Sequence, residues 1–127
     1  MTAMVTSTFQ AAVESGDAEA LRSTLAEDVV FNSPVVFTPY RGIDAVAPLL
    51  AAAVSVFEDF RYTGAVAEGD RQVLVFEARV GDRNVQGVDI LRIDENGLVA
   101  ELTVMLRPMS GVAAMAEAMR RRLTATA

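Results

Sequence analysis

The sequence predicts an α+β domain in which N-terminal helices pack on one face of a strongly curved antiparallel sheet, with a further helix at the C-terminus. Three observations predict it. Apolar residues recur near helical spacing over residues 3–15 and again over 43–57. From residue 60 the period changes, and four β-branched-rich runs follow, separated by turn-forming residues. The length of 127 residues suits a single domain, 1–127, large enough to build a core without covalent staples.

Each element has a local reason. The first helix carries Met4, Val5, Phe9, Ala12 and Val13 and breaks at Ser15-Gly16-Asp17. Gly16 suits a left-handed C-cap, and Asp17 suits the N-cap of a second helix, Ala18 to Leu25. Leu21 and Leu25 lie one turn apart and face inward. Glu27-Asp28 ends that helix, and Val29-Val30-Phe31 reads as a short strand. Asn32 to Gly42, with Pro34 and Pro39, reads as a loop. A third helix follows from Ile43 to Phe57, with Asp44 in its first turn and Pro48 tolerable only early. Strands are expected at Phe60–Ala67, Gln72–Val80, Asn84–Asp94 and Leu98–Arg107. Glu68-Gly69-Asp70, Gly81-Asp82 and Glu95-Asn96-Gly97 turn one into the next. Ser110 caps a last helix, Gly111 to Leu123, whose stripe holds Val112, Met115, Ala116 and Met119, the methionines reading as helix packing.

Composition removes whole classes of chemistry. Cysteine and histidine are both absent. Disulfides, thiolate metal sites, catalytic triads and imidazole bases are thereby excluded. The chain also has no lysine, so proton chemistry falls to carboxylates, tyrosine, arginine, water or a bound cofactor. Acidic residues outnumber basic ones 17 to 11, a net charge of −6, which argues against a nucleic-acid partner. Arg120-Arg121-Arg122 reads as a helix end suited to the macrodipole. No apolar run approaches the ~20 residues of a membrane helix, and no membrane partner is expected. No Lys or Arg precedes Arg22, so the expectation is no secretory signal and a cytoplasmic location. No metal site, phosphate loop or nucleotide motif is present, so no cofactor is expected.

Three segments carry a family resemblance: Phe9–Asp17, Leu25–Phe31 and Val88–Gly97. In this order and spacing they resemble the nuclear transport factor 2-like superfamily. That group has a cone-shaped fold and includes ketosteroid isomerase, limonene epoxide hydrolase, scytalone dehydratase and the SnoaL-like polyketide cyclases. The resemblance implies a pocket inside the cone. Ketosteroid isomerase is similar in the last strands, and its neutral acid matches Asp89. Its tyrosine falls on Phe9 and its base at or beside Ser33. The late-strand aspartate of limonene epoxide hydrolase falls near Thr103 or Val104. The sequence therefore predicts no appreciable steroid isomerisation by the known set.

Asp89 is the catalytic candidate on its own merits. Strand parity puts Val85, Gly87, Asp89, Leu91 and Ile93 on one face, apolar apart from the carboxyl. Such a group should be protonated or hydrogen-bonded, as a pocket acid or as a structural carboxylate paired with an Arg or Tyr. Glu77 could add a second carboxylate near it, or an interface salt bridge. Tyr40 could close the mouth of the cone, and Asn32 and Ser33 could hydrogen-bond a ligand. Phe9, Phe31, Leu91, Leu102, Val104 and Leu106 are the candidate apolar walls, in a fold where wall and core overlap.

Three functions remain open at this stage. One is an isomerase, cyclase or dehydratase acting on a hydrophobic carbonyl compound, with Asp89 as acid or base. The second is a non-catalytic binding module for an apolar molecule. The third is a structural dimer with a filled cone. Apolar residues on the second faces of the strands — Leu74, Phe76, Ala78, Val88, Ile90 and Met105 — predict a homodimer through the convex side of the sheet, with Arg92 and Thr103 in its polar rim. The competing expectation is that the last helix folds over that side.

Overall fold

A computed structural model of the protein describes residues 8–125. Its elements are α1 (Thr8–Ser15), α2 (Ala18–Arg22), β1 (Leu25–Asn32), β2 (Tyr40–Arg41), α3 (Ile43–Val56), β3 (Glu58–Glu68), β4 (Arg71–Val80), β5 (Arg83–Ile93), β6 (Val99–Arg107) and α4 (Met109–Ala125). Met4 and Val5 of the expected first helix lie outside the described residues. The six strands form one curved, unclosed sheet in the order β2-β1-β6-β5-β4-β3. The α+β cone stands as expected, with one correction to the sheet. β1 runs parallel to β6, so the sheet is mixed. The antiparallel meander is β3 to β6.

The helix ends follow local chemistry. Gly16 takes φ +71°, and the Asp17 carboxylate accepts from the Glu19 N–H at 2.9 Å. α2 then stops at Arg22, three residues short of the expectation. The Thr24 hydroxyl donates to the Leu21 carbonyl at 2.7 Å, and its N–H donates to the same oxygen. Hydroxyls bonding back in this way compete with helix continuation. Leu25 is therefore the first residue of β1, opposite Val99, rather than a helix residue. Glu27 and Asp28 sit exposed where the β1 register shifts. α4 starts at Met109, and the Pro108 carbonyl accepts from Gly111 and Val112, so Ser110 lies in the first turn and is not the cap. The β5–β6 turn is closed by the Asp94 carboxylate, which accepts from the N–H groups of Asn96 and Leu98.

The helices gather on the concave side. α1, α2 and α3 set Phe9, Val13, Leu21, Val46 and Leu50 against Leu74, Leu91 and Leu102 of the sheet. α4 crosses the other end of the cone, where Met115 joins Ala78, Val80 and Val85 in a second cluster. It packs on α3 and on the concave side of the strands, and it does not cover the convex side. The convex face thus keeps Val73 and Val75 of β4, Val88 and Ile90 of β5, and Met105 of β6 in adjacent register. Leu74, Phe76 and Ala78 were expected there. They point into the core instead, because Leu74 lies opposite inward-facing Asp89 and Phe76 opposite Gly87.

Candidate active site

Between the two apolar clusters lies a cavity of about 360 Å³. Its lining includes the exposed residues Val35 and Val36 of the β1–β2 loop and Arg120 and Leu123 of α4. Its wall is apolar apart from a few groups: Asp89, Tyr62, Tyr40, Ser33 and Arg120. Among the described residues Asp89 is its one carboxylate.

Parity delivers Asp89. β5 alternates buried and half-buried from Val85 onward, and Asp89 falls on the buried side with 7% of its surface exposed. Its neighbours across the ladder are Leu74 on β4 and Val104 on β6, both apolar. The Tyr62 hydroxyl on β3 donates to Asp89 Oδ2 at 3.0 Å. Burial pushes the Asp89 carboxyl up to about 7, against a smaller downward pull from the Tyr62 hydrogen bond. Burial and the neighbouring carboxylate hold the Tyr62 phenol well above its usual range, so it stays a neutral donor.

An aromatic group surrounds this pair. Phe60 stacks on Phe76 with centroids 4.9 Å apart, Phe57 meets Phe76 edge-on at 5.5 Å, and Tyr62 meets Phe60 edge-on at 4.9 Å. All four rings line the cavity. Gly87 makes room for them, since a Cβ there would stand 2.4 Å from Phe76 Cζ and 2.7 Å from the Met105 carbonyl oxygen.

The structure brings together Phe9, Phe31, Ser33, Tyr40, Asp89, Leu102, Val104 and Leu106 around the cavity. Three candidates lie elsewhere. Glu77 is on the convex face, where its carboxylate accepts from Arg61 at 2.8 Å. Asn32 donates across the β1–β6 pair to Glu101 at 3.0 Å and Thr103 at 2.9 Å, one residue out of phase with inward Phe31. Leu91 is fully buried in the apolar core and does not reach the cavity. Sequence reasoning did not name Tyr62 as the partner. Its spacing of two from Phe60 was the available signal, but the sequence alone did not pair β3 with Asp89. Met115 and Met119, read as helix packing, also line the cavity.

With this geometry in place, comparison with known proteins defines the class. The SnoaL-like domain family matches residues 5–102, and the chain belongs to that family, within the nuclear transport factor 2-like superfamily. The chain is similar to a solved steroid delta-isomerase from Pseudomonas aeruginosa, with 39% identity and a TM-score of 0.89, covering 93% of this chain and 88% of that one. It is also similar to a bacterial protein of cystatin-like fold from Silicibacter pomeroyi, with 35% identity and a TM-score of 0.88, covering 92% and 83%. A nuclear transport factor 2-like protein from Mesorhizobium loti shares the fold at 22% identity and a TM-score of 0.70, covering 79% and 85%. No curated protein matches the chain.

Proposed function

We propose that the cavity binds a small, mainly apolar molecule carrying a carbonyl, and that Asp89 gives or takes a proton there in an isomerase, cyclase or dehydratase reaction. One observation carries this reading: a buried carboxyl raised to about 7 and held by a tyrosine hydroxyl inside an apolar cavity. A protonated Asp89 can donate to a carbonyl oxygen where water is scarce, and a group titrating near neutrality serves as either acid or base. The ketosteroid isomerase-like fold and the steroid delta-isomerase relative support the reaction class.

The steroid substrate itself is not part of the reading. Phe9 cannot donate, Ser33 is no carboxylate, and the one phenol beside Asp89 is engaged with it. Each missing group should cost on the order of a hundredfold. Turnover of a 3-keto-5-ene steroid is expected to be negligible, and robust turnover abolished by Asp89→Asn refutes that. A second reading, binding without catalysis, is favoured by the lack of a second carboxylate among the described lining residues. Titration of the protein with a bicyclic ketone such as 2-decalone, followed by NMR, tests the cavity binding that both readings share, and turnover of a carbonyl substrate lost in Asp89→Asn separates them. Shifts are expected at Asp89, Tyr62 and Phe31; shifts confined to the outer surface contradict the cavity.

The same proposal includes a homodimer. Val73, Val75, Val88, Ile90 and Met105 make a continuous apolar strip, Met105 being 56% exposed. Asn32, Glu101, Thr103 and Arg92 border it as a polar rim. A second copy packed convex face to convex face covers this strip with one self-complementary contact. Sedimentation at micromolar concentration should give twice the chain mass; a monomer unchanged on tenfold concentration contradicts it. The cytoplasm is the proposed location. No helix among the described residues is long and apolar enough to cross a membrane.

A further inference from the structure

We propose that the cavity takes a second class of ligand, a hydrophobic methylated ammonium, with its cationic head against the aromatic group and its charge matched by the Asp89 carboxylate. The proposal rests on the reading of the cavity as a ligand site and extends it to the other protonation state of Asp89.

Four rings, Phe57, Phe60, Tyr62 and Phe76, line the cavity in mutual contact, and aromatic faces attract cations. The ring cluster includes the residue that holds the carboxylate, Tyr62. Once ionised, Asp89 is a buried negative charge held by a neutral phenol. Among the described residues, the groups around it supply no free cation. β4 and β6 present Leu74 and Val104 to it, and the α3 residues lining the cavity are apolar. Tyr40 of β2 brings a phenol and no cationic group. Glu14 of α1 acts on Tyr62 and adds negative charge. Arg120 of α4 reaches the cavity, but both oxygens of Glu117 engage its guanidinium, and its side chain is mostly in solvent.

A ligand cation supplies the missing counter-charge. A carboxylate or phenolate ligand would instead set two like charges together in a poorly solvated space. A methylated ammonium has few or no N–H groups to desolvate, so apolar aromatic walls cost it less than they would cost a primary ammonium. The two ligand classes then divide by protonation. The neutral carboxyl donates to a carbonyl; the ionised one holds a cation. Because the carboxyl titrates near 7, binding of the cation below that pH displaces a proton.

Two probes of one shape separate the effects. Benzyltrimethylammonium carries a permanent charge, and neopentylbenzene is its neutral isostere. Binding of each to the full chain, followed by NMR shifts of the cavity aromatic rings, is measured from pH 6 to pH 8. The cation should bind about tenfold more tightly at pH 8 than at pH 6, following the ionised fraction of Asp89, while the isostere stays level. Asp89→Asn should abolish the pH dependence and cost the cation roughly tenfold or more at pH 8, sparing the isostere. If that variant does not fold, the wild-type pH series decides. Binding of the isostere without the cation, or cation affinity indifferent to pH, overturns the ammonium proposal and leaves the ligand cavity standing. Binding of neither probe overturns both.

Discussion

The two faces of β5 differ by one residue of phase and by opposite physical problems. On the concave side, Val85, Gly87, Asp89 and Leu91 are buried, and the problem is a carboxyl inside an apolar wall. On the convex side, Gln86, Val88, Ile90 and Arg92 are half-exposed, and the problem is apolar surface without cover. Thr24, another buried polar residue, is met locally by the Leu21 carbonyl. At Asp89 it leaves a titratable group whose named partner is one phenol. A face that keeps a costly group in its interior, beside open space, is built around something other than stability. Among the described residues the convex face carries no buried carboxyl, and in the proposed dimer a like surface would cover its apolar strip.

The largest predicted effect breaks the comparison at Asp89. Its folded-state value of about 7 lies above its ordinary 3.8, so the folded chain holds a proton that the unfolded chain releases. The resulting stabilisation is complete below about pH 4 and is lost as pH rises through 7, a swing on the order of 4 kcal/mol. Asp89→Asn should match the wild type near pH 4 and exceed its stability at pH 8 by several kcal/mol, read from urea unfolding at both pH values. A variant less stable than wild type at pH 8 would show that the ionised carboxylate is well accommodated.

Neighbouring residues give the next contrast. Leu91→Ala empties a fully buried position and should cost about 3 kcal/mol at any protein concentration. Ile90→Ala, on the convex side, should cost about 1 kcal/mol, with a loss that depends on concentration if a second copy covers the strip. Equal, concentration-independent losses would remove the distinction between the faces. A smaller effect concerns the hydroxyl of Tyr62. Tyr62→Phe removes the hydrogen bond that lowers the Asp89 value, so the carboxyl should titrate higher than in the wild type. A midpoint that falls or stays would show that the phenol does not hold the carboxylate.

Much of this contrast was legible in the sequence. Asp89 was readable because β5 alternates cleanly, with one polar side chain on a face otherwise apolar. β4 was not, since Val73 and Val75 are as apolar as Leu74 and Phe76. Parity yields two faces, and only the register opposite Asp89 says which of them is inside. That same ambiguity hid the convex position of Glu77. Tyr62 was missed because its partner lies 27 residues away, beyond a second strand, and because the β3 register shifts just after it. The parallel β1–β6 pair was unreadable for a related reason: nothing local marks a contact between strands about 70 residues apart. Helix ends were read to within a few residues where Gly or Asp sets them. They were misread at Thr24, whose hydroxyl acts on a carbonyl three residues back.

The central claim, that the cone keeps a carboxyl poised near neutrality, is tested most directly by titrating Asp89 itself. The side-chain carboxyl carbon, assigned by comparison with Asp89→Asn, can be followed by NMR from pH 3 to pH 9. The account predicts a midpoint about 7, displaced upward by burial. A midpoint near the ordinary value of 3.8 would contradict it, and would make Asp89 a solvated carboxylate with no special place in the site.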